Sequence, residues 1–324
     1  MNFMKKRFKE KIFFELKKIR EVEKKIVQKY GEQKMRCPVH LSIGQESIAV
    51  GICQNLNNSD QIVTAHRSHA HYLAKGGDLK SMISELHGKK TGCVKGLGGS
   101  MHLLDLKSNV IAAVPIVGST IPIGVGAAWA NKLKRKKNIV VIFLGDGATE
   151  EGVFSECLDF VSLNKLNVLF VCENNLYSVY SNLKKRQSSR RKIVNIAKAH
   201  GIDAMKINDH DVLKVYEKSK KIIKKIKSQS KPFLLEINTY RDIEHCGPNR
   251  DDHLNYRPTR EIQFWKKKCQ VTYYEKKFLS EGVLTQKKLK KNNQIIKDNI
   301  NKAFSFAEKS SFENPGKIKS YIYK

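Results

Sequence analysis

Residues 138–156 read "NIVVIFLGDGATEEGVFSE", and this stretch decides the architecture. Ile139 to Leu144 are apolar without a break and largely β-branched or aromatic. Such a strand has no polar side to give to water, so it must be covered on both faces, the usual state of a strand in a parallel sheet. The run stops at Gly145-Asp146-Gly147. Beyond it Phe154, Cys157, Leu158 and Val161 recur at intervals of three and four, the spacing of a helix with one buried stripe. "NVLFVCENN", 167–175, then supplies a second apolar strand ending in polar residues. Strand, helix and strand in this order form a βαβ unit with parallel strands and a right-handed crossover. "PFLLEINTYR", 232–241, is expected as a later strand of the same sheet. The predicted fold class is α/β, a largely parallel sheet with helices on both faces, preceded by a charged helix over residues 5–30 that Gly31 ends.

In open α/β sheets ligands gather at the carboxyl ends of the strands. Both polar clusters, the GDG at 145–147 and the "ENN" at 173–175, sit at such ends and are expected to face one site. Asp146 offers a carboxylate and Asn175 an amide oxygen, the hard donors that Mg²⁺ takes alongside phosphates and water. Gly145 and Gly147 are expected to permit a tight turn and leave space for a diphosphate. The next helix would bring its positive end there, with Glu150 and Glu151 in its first turn. A GDG alone is an ordinary strand-to-helix turn. Asn174-Asn175 follow it after the 26 positions from 148 to 173, a spacing whose meaning comes from a family resemblance given below.

Composition excludes little but orders the alternatives. The chain has 324 residues with 61 Lys+Arg against 31 Asp+Glu, a net charge of +30. That excess favours nucleic acid, anionic lipid or an acidic partner, and a basic nucleic-acid or membrane-surface binder is the alternative of a different class. The lysines, however, lie in amphipathic segments such as "EKSKKIIKKIKSQSK", 217–231, where Ile222, Ile223 and Ile226 mark the buried side. No aromatic-interleaved basic stripe or zinc-finger spacing accompanies them, so neither nucleic acid nor membrane is expected as a partner. Seven cysteines, odd in number and without a C-x-x-C pair, point to reduced thiols and a cytoplasmic location. No secretory leader is expected. Val110 to Ala130 is uncharged, but its prolines, glycines, Ser119 and Thr120 predict a turn and a buried small-residue helix rather than a membrane span. Residues 1–270 are expected to form the main domain, and 271–324 a polar helical tail.

The GDG with Asn174-Asn175 resembles the thiamine-diphosphate signature. "HLSIGQESIAVG" (40–51), "AHRSHAHYLAKG" (65–76), "ELHGKKTGCVKGLGGSMHL" (85–103), "IVGSTIPIGVGAAWA" (116–130) and "TYRDIEHCGPNRDDHLNYR" (239–257) flank it on either side. Together they resemble α subunits of the decarboxylating first component of 2-oxo-acid dehydrogenase complexes, over roughly residues 10–270. The family includes pyruvate, branched-chain 2-oxo-acid and acetoin dehydrogenases. The resemblance implies a thiamine-diphosphate-binding fold, thiamine diphosphate with Mg²⁺, and a separate β subunit in an α2β2 heterotetramer that carries the activating glutamate. It also implies oxidative decarboxylation of a 2-oxo acid, pyruvate first, with acyl transfer to a lipoyl-bearing acyltransferase component. An acetoin-type or biosynthetic enzyme on the same α subunit is the nearest alternative.

Residue roles follow from the same resemblance. Asp146, Asn175 and the main-chain carbonyl of Tyr177 would hold the metal, with Gly147 and Ala148 against the diphosphate and Arg67 pairing with a phosphate. His66 stands before that arginine, where many relatives have tyrosine, and would bind the cofactor as a hydrogen-bond donor. Val117 and Gly118 would lie against the aminopyrimidine. His40 would face the substrate carboxylate or carbonyl, His245 would line the reacting centre, and Arg241 would anchor its loop. His69, His71 and His102 are weaker candidates. Pro115, Cys246 and the acidic loop at 241–257 also depart from the family pattern, and all the departures fall near the substrate.

Overall fold

The computed structural model describes residues 5–322. In chain order come α1 (Lys6–Tyr30), α2 (Glu46–Cys53), β1 (Gln61–Ala65), α3 (His69–Lys75) and α4 (Leu79–Leu86). β2 (Val110–Val114), α5 (Thr120–Leu133), β3 (Val140–Gly145), α6 (Gly152–Leu163) and β4 (Val168–Asn174) follow. A small antiparallel ribbon, β5 (Tyr177–Ser178) with β6 (Ser181–Asn182), leads to α7 (Leu183–Arg186), α8 (Ile193–Ala199), β7 (Asp203–Ile207), α9 (Val212–Gln229) and β8 (Phe233–Asn238). The chain ends in α10 (Thr259–Lys267), α11 (Gln270–Ser280), α12 (Gln286–Lys309) and α13 (Pro315–Ile322).

Six strands form one sheet in the order β2-β1-β3-β4-β8-β7, with every pairing parallel. The central strand shows why the sequence folds this way. Val140, Ile142 and Leu144 enter one buried cluster with residues of α5, α6 and α8, while Val141 and Phe143 enter the other with α1, α2 and α9. Alternate side chains of one strand thus feed two cores, which is why no position in the run tolerates a polar residue. Lysines 220, 221, 224 and 225 of α9 are exposed while Ile222, Ile223 and Ile226 are buried, so the basic character sits on solvated faces. Tyr274 and Phe278 of α11 and Ile296, Ile300 and Phe304 of α12 lie in the same buried cluster as α1.

Register sets up the site. β3 and β4 pair so that Gly145 lies opposite Glu173, and β4 pairs with β8 so that Asn174 lies opposite Asn238. The three strands therefore finish level, and the residues just beyond them are neighbours in space.

Two local expectations are corrected. Val110–Val114 is a strand at the sheet edge rather than part of a turn, and α5 begins only at Thr120. α5 is also half-exposed: Ile121, Gly124, Val125 and Ala128 are buried, whereas Pro122, Ile123, Gly126, Ala130 and Leu133 face outward. Small residues signal close approach on some face of a helix, and the sheet and α6 cover only one side of α5. The second correction concerns the GDG. A five-residue 3-10 turn, Asp146–Glu150, precedes α6, so Glu150 and Glu151 come before that helix rather than in its first turn. No helix among the described residues is long and apolar enough to cross a membrane.

Candidate active site

Five of the six strands deliver residues to one cavity of about 180 Å³ at their carboxyl ends. His66 and Arg67 follow β1, Pro115 and Val117 follow β2, Asp146 follows β3, Asn175 follows β4, and Arg241 and His245 follow β8. All eleven candidates named from the sequence line it: His40, His66, Arg67, Val117, Gly118, Asp146, Gly147, Ala148, Asn175, Tyr177 and His245.

On the floor, Asp146 is buried and its Oδ2 accepts from the Arg186 guanidinium, which also pairs with Glu150. Burial pushes the Asp146 carboxyl above its ordinary range, and Arg186 opposes that push. Neither Gly145 nor Gly147 has a positive φ, so the glycines are not there for turn geometry. A Cβ on Gly147 would come within 2.9 Å of Ser178 Oγ. Its bareness keeps the floor open, and the expectation of a tight glycine turn gives way to that steric reason.

The two asparagines divide their tasks. Asn174 Nδ2 donates to Glu236 Oε1 at 2.9 Å, and Asn174 Oδ1 accepts from Leu176 N, a purely internal arrangement. Asn175 faces the cavity; its Oδ1 accepts from Tyr177 N at 3.1 Å and its Nδ2 donates to Gln45 Oε1 at 3.3 Å. Tyr177 lines the cavity while its hydroxyl donates to Glu261 Oε1 at 2.8 Å. Asp146 and Asn175 thus bring a carboxylate and an amide oxygen to the same cavity, donors of the hard type.

Opposite them, Gly118 has φ +85°, and a Cβ there would meet Glu151 Cγ at 2.9 Å, so only glycine fits beside Val117. Arg67 is buried, with Nη2 donating to the His245 carbonyl at 3.0 Å. Burial, assisted by Arg241, lowers its pKa to about 9, which leaves it charged at neutral pH. Arg241 Nη2 donates to Tyr256 OH at 2.8 Å and to the Val179 carbonyl at 3.2 Å, tying the 241–257 loop to the ribbon.

At the remaining corner three imidazoles meet. Ring centroids lie 4.9 Å apart for His40 and His66, 5.2 Å for His40 and His245, and 5.3 Å for His66 and His245. Burial first, and then the Arg67 charge, lowers their pKa values to about 3 for His40, about 2 for His66 and about 4 for His245. At neutral pH they are uncharged imidazoles, each with one N–H to donate and one ring nitrogen to accept a hydrogen bond.

The weaker histidines separate clearly. His69 is buried between Glu23 Oε1 and Ser100 Oγ, each at 2.7 Å, and serves to bind α1 to the loop before β2. His71 does line the cavity, stacked on Phe143, with Thr64 Oγ1 at 2.7 Å and Glu173 Oε2 at 3.3 Å. His102 is exposed and bonded to the Gly98 carbonyl. Arg186 and Gln45 are not among the sequence candidates. Arg186 lies in "KKRQSSRRK", where nothing distinguishes it from solvated neighbours. Gln45 sat unnoticed inside a motif that was quoted for its histidine.

The chain has relatives among known proteins. Residues 15–316 match the model of the dehydrogenase E1 component family. The α subunit of the pyruvate dehydrogenase E1 component from Rickettsia bellii is 32% identical over 313 residues, 97% of this chain and 95% of that protein. The α subunit of acetoin:2,6-dichlorophenolindophenol oxidoreductase from Bacillus subtilis is 33% identical over 306 residues, covering 94% and 90%. The chloroplastic pyruvate dehydrogenase E1 subunit alpha-3 of Arabidopsis thaliana is 33% identical over 298 residues, covering 90% and 68%. The chain belongs to the dehydrogenase E1 component family and is similar to its α subunits.

Proposed function

We propose that this chain is the α subunit of a thiamine-diphosphate-dependent 2-oxo-acid dehydrogenase, with pyruvate as donor, a β subunit as obligate partner and a lipoyl-bearing acyltransferase component as acyl acceptor. The observation that carries the reading is the convergence of Asp146, Asn175 and Arg67 on one cavity from three separate strand ends. Asp146, Asn175 and the Tyr177 carbonyl would hold Mg²⁺. Arg67 would pair with the diphosphate, and the bare backbone of Gly147 and Ala148 would let it approach. Bound there, the cofactor supplies a carbon nucleophile and an electron sink for decarboxylation.

The residues of this chain do the rest. Arg67 and Arg241 give the cavity two guanidinium charges, suited to an anionic donor. His40 and His245 are neutral and would hydrogen-bond the donor's carboxylate or carbonyl. Val117 and Gly118 form the wall that a planar pyrimidine would lie against.

A partner is supported by surface as well as by kinship. Pro122, Ile123, Gly126, Ala130 and Leu133 make an outward apolar stripe along α5, and a Cβ on Gly126 would meet nothing within 4 Å. The β subunit would cover this stripe in an α2β2 assembly. Seven free thiols support a cytoplasmic setting.

Acetoin cleavage is the second reading, favoured by the Bacillus relative and by the departures at His66, Pro115 and Cys246. The test is co-expression with candidate β chains. The assembled protein should bind thiamine diphosphate with Mg²⁺ by calorimetry, and Asp146→Ala should abolish that binding. Carbon dioxide release from a panel of 2-oxo acids, run beside acetoin cleavage, identifies the donor. Equal cofactor binding by wild type and Asp146→Ala would overturn the assignment.

A further inference from the structure

We propose that His40, His66 and His245 form a cation site of their own, which takes a borderline divalent ion of the zinc or cobalt type and is chemically distinct from the oxygen donors Asp146 and Asn175. The proposal does not rest on thiamine diphosphate.

The geometry comes first. One ring nitrogen from each of the three residues lies within 4.8 Å of the others, with the His40 ring edge to face against both His66 and His245 and those two rings tilted by 59°. Ligation at about 2.1 Å with near-tetrahedral angles places nitrogens about 3.4 Å apart, so closing on an ion takes an ångström or so of side-chain movement. The three side chains come from different parts of the chain: the loop before α2, the end of β1, and the loop after β8. His40 is 6% exposed, and its Nδ1 is buried without a hydrogen-bond partner. A buried imidazole nitrogen with nothing to bind is the kind of orphan that a ligand satisfies.

Chemistry selects the ion. Neutral imidazole prefers zinc, cobalt, nickel or copper, and Mg²⁺ prefers oxygen. The charges nearby work against a bare dication, because Arg67 and Arg241 both face the same corner. The fourth position, open to the cavity, therefore takes an anion such as hydroxide or a carboxylate, which offsets that repulsion. An ion held there occupies the lone pairs of His40 and His245 and blocks the donor end of the site.

Cobalt chloride is the probe, added to the untagged full-length chain, alone and with its β partner. Nitrogen ligation in four- or five-coordinate geometry gives visible d–d absorption, whereas cobalt at the oxygen site absorbs weakly. The expected result is one equivalent of absorbing cobalt, displaced by Zn²⁺. His66→Phe and His66→Gln should each weaken it by about tenfold or more; both are made so that one misfolded variant does not decide the matter, and thermal melts check folding. Asp146→Asn should keep the cobalt spectrum, and Cys246→Ser should keep it too. Absence of absorbing cobalt in the wild type, or a spectrum that survives in folded His66 variants, overturns the proposal. Loss in Cys246→Ser with sulfur charge-transfer bands does so as well. Failure to bind thiamine diphosphate would instead sink the enzyme assignment and leave the cobalt result standing.

Discussion

The Arg186 guanidinium closes on the carboxylate of Asp146, the buried acid between two glycines that the sequence marks most plainly, and with its other nitrogen it holds Glu150. A basic residue 40 positions downstream thus pairs with the carboxylate proposed to hold a metal.

Removing that partner leaves a buried charge uncompensated. Arg186→Gln should cost about 3 kcal/mol of stability in the cofactor-free protein, the scale expected for a broken buried pair. It should also strengthen Mn²⁺ binding several-fold, because ion and guanidinium compete for Asp146. Urea unfolding and the electron paramagnetic resonance signal of free Mn²⁺ check the two halves separately.

Glu85 organises the loop ahead of β2. Its carboxylate accepts from the backbone amides of Val94, Gly96, Gly98 and Gly99 at 2.8 to 3.0 Å. Glu85→Ala orphans four buried or half-buried donors, so a loss of about 3 kcal/mol or more is expected. Protease cleavage within 89–99 should accelerate with it, and an unchanged digestion pattern would show that the loop holds its shape by other means.

Gly118→Ala combines a positive φ with a collision against Glu151. A loss of about 1 to 3 kcal/mol is expected from strain alone, together with weaker thiamine diphosphate binding as the wall shifts. Gly126→Ala, where the added methyl meets open space, is the control and should leave stability within about 1 kcal/mol of wild type.

Acid should weaken the fold. His40, His66, His245 and the buried His210 all have pKa values below the ordinary 6.5, chiefly through burial. The unfolded chain therefore takes up protons first as pH falls through about 6.5, and stability declines from there towards pH 4. Each such group adds up to about 1.4 kcal/mol per pH unit within its window. Urea midpoints at pH 8 and pH 5.5 measure the fall, and His210→Gln should flatten it.

Ile123→Asp on the outward stripe of α5 should leave the isolated chain folded and its melting temperature within a few degrees. Assembly with the β subunit should fail, seen as loss of the heterotetramer peak in size-exclusion chromatography. A normal tetramer would place the interface elsewhere.

Much of the fold was legible because its central strands are extreme. Ile139 to Leu144 and Val168 to Cys172 have apolar residues at every position, which only a strand buried on both faces explains. The edge strands were not legible. β7, "DAMKI", and β2, "VIAAV", are short and half-buried, so their pattern is weak. The site residues were legible by resemblance, since eleven positions scattered over some two hundred residues carry no local signature of one cavity.

Sequence by itself determined the parallel βαβ unit, the amphipathic placement of the lysines and the pairing of Asp146 with Asn175 as candidates. The first two follow from local periodicity, which the chain carries in one dimension, and the third from strand ends read together with a family resemblance. Tertiary structure alone decided that Arg186 neutralises Asp146, that His66 completes a triangle with His40 and His245, and that one side of α5 faces outward. Those relations depend on which distant segments come within a few ångströms, and strand register and helix packing set that closeness.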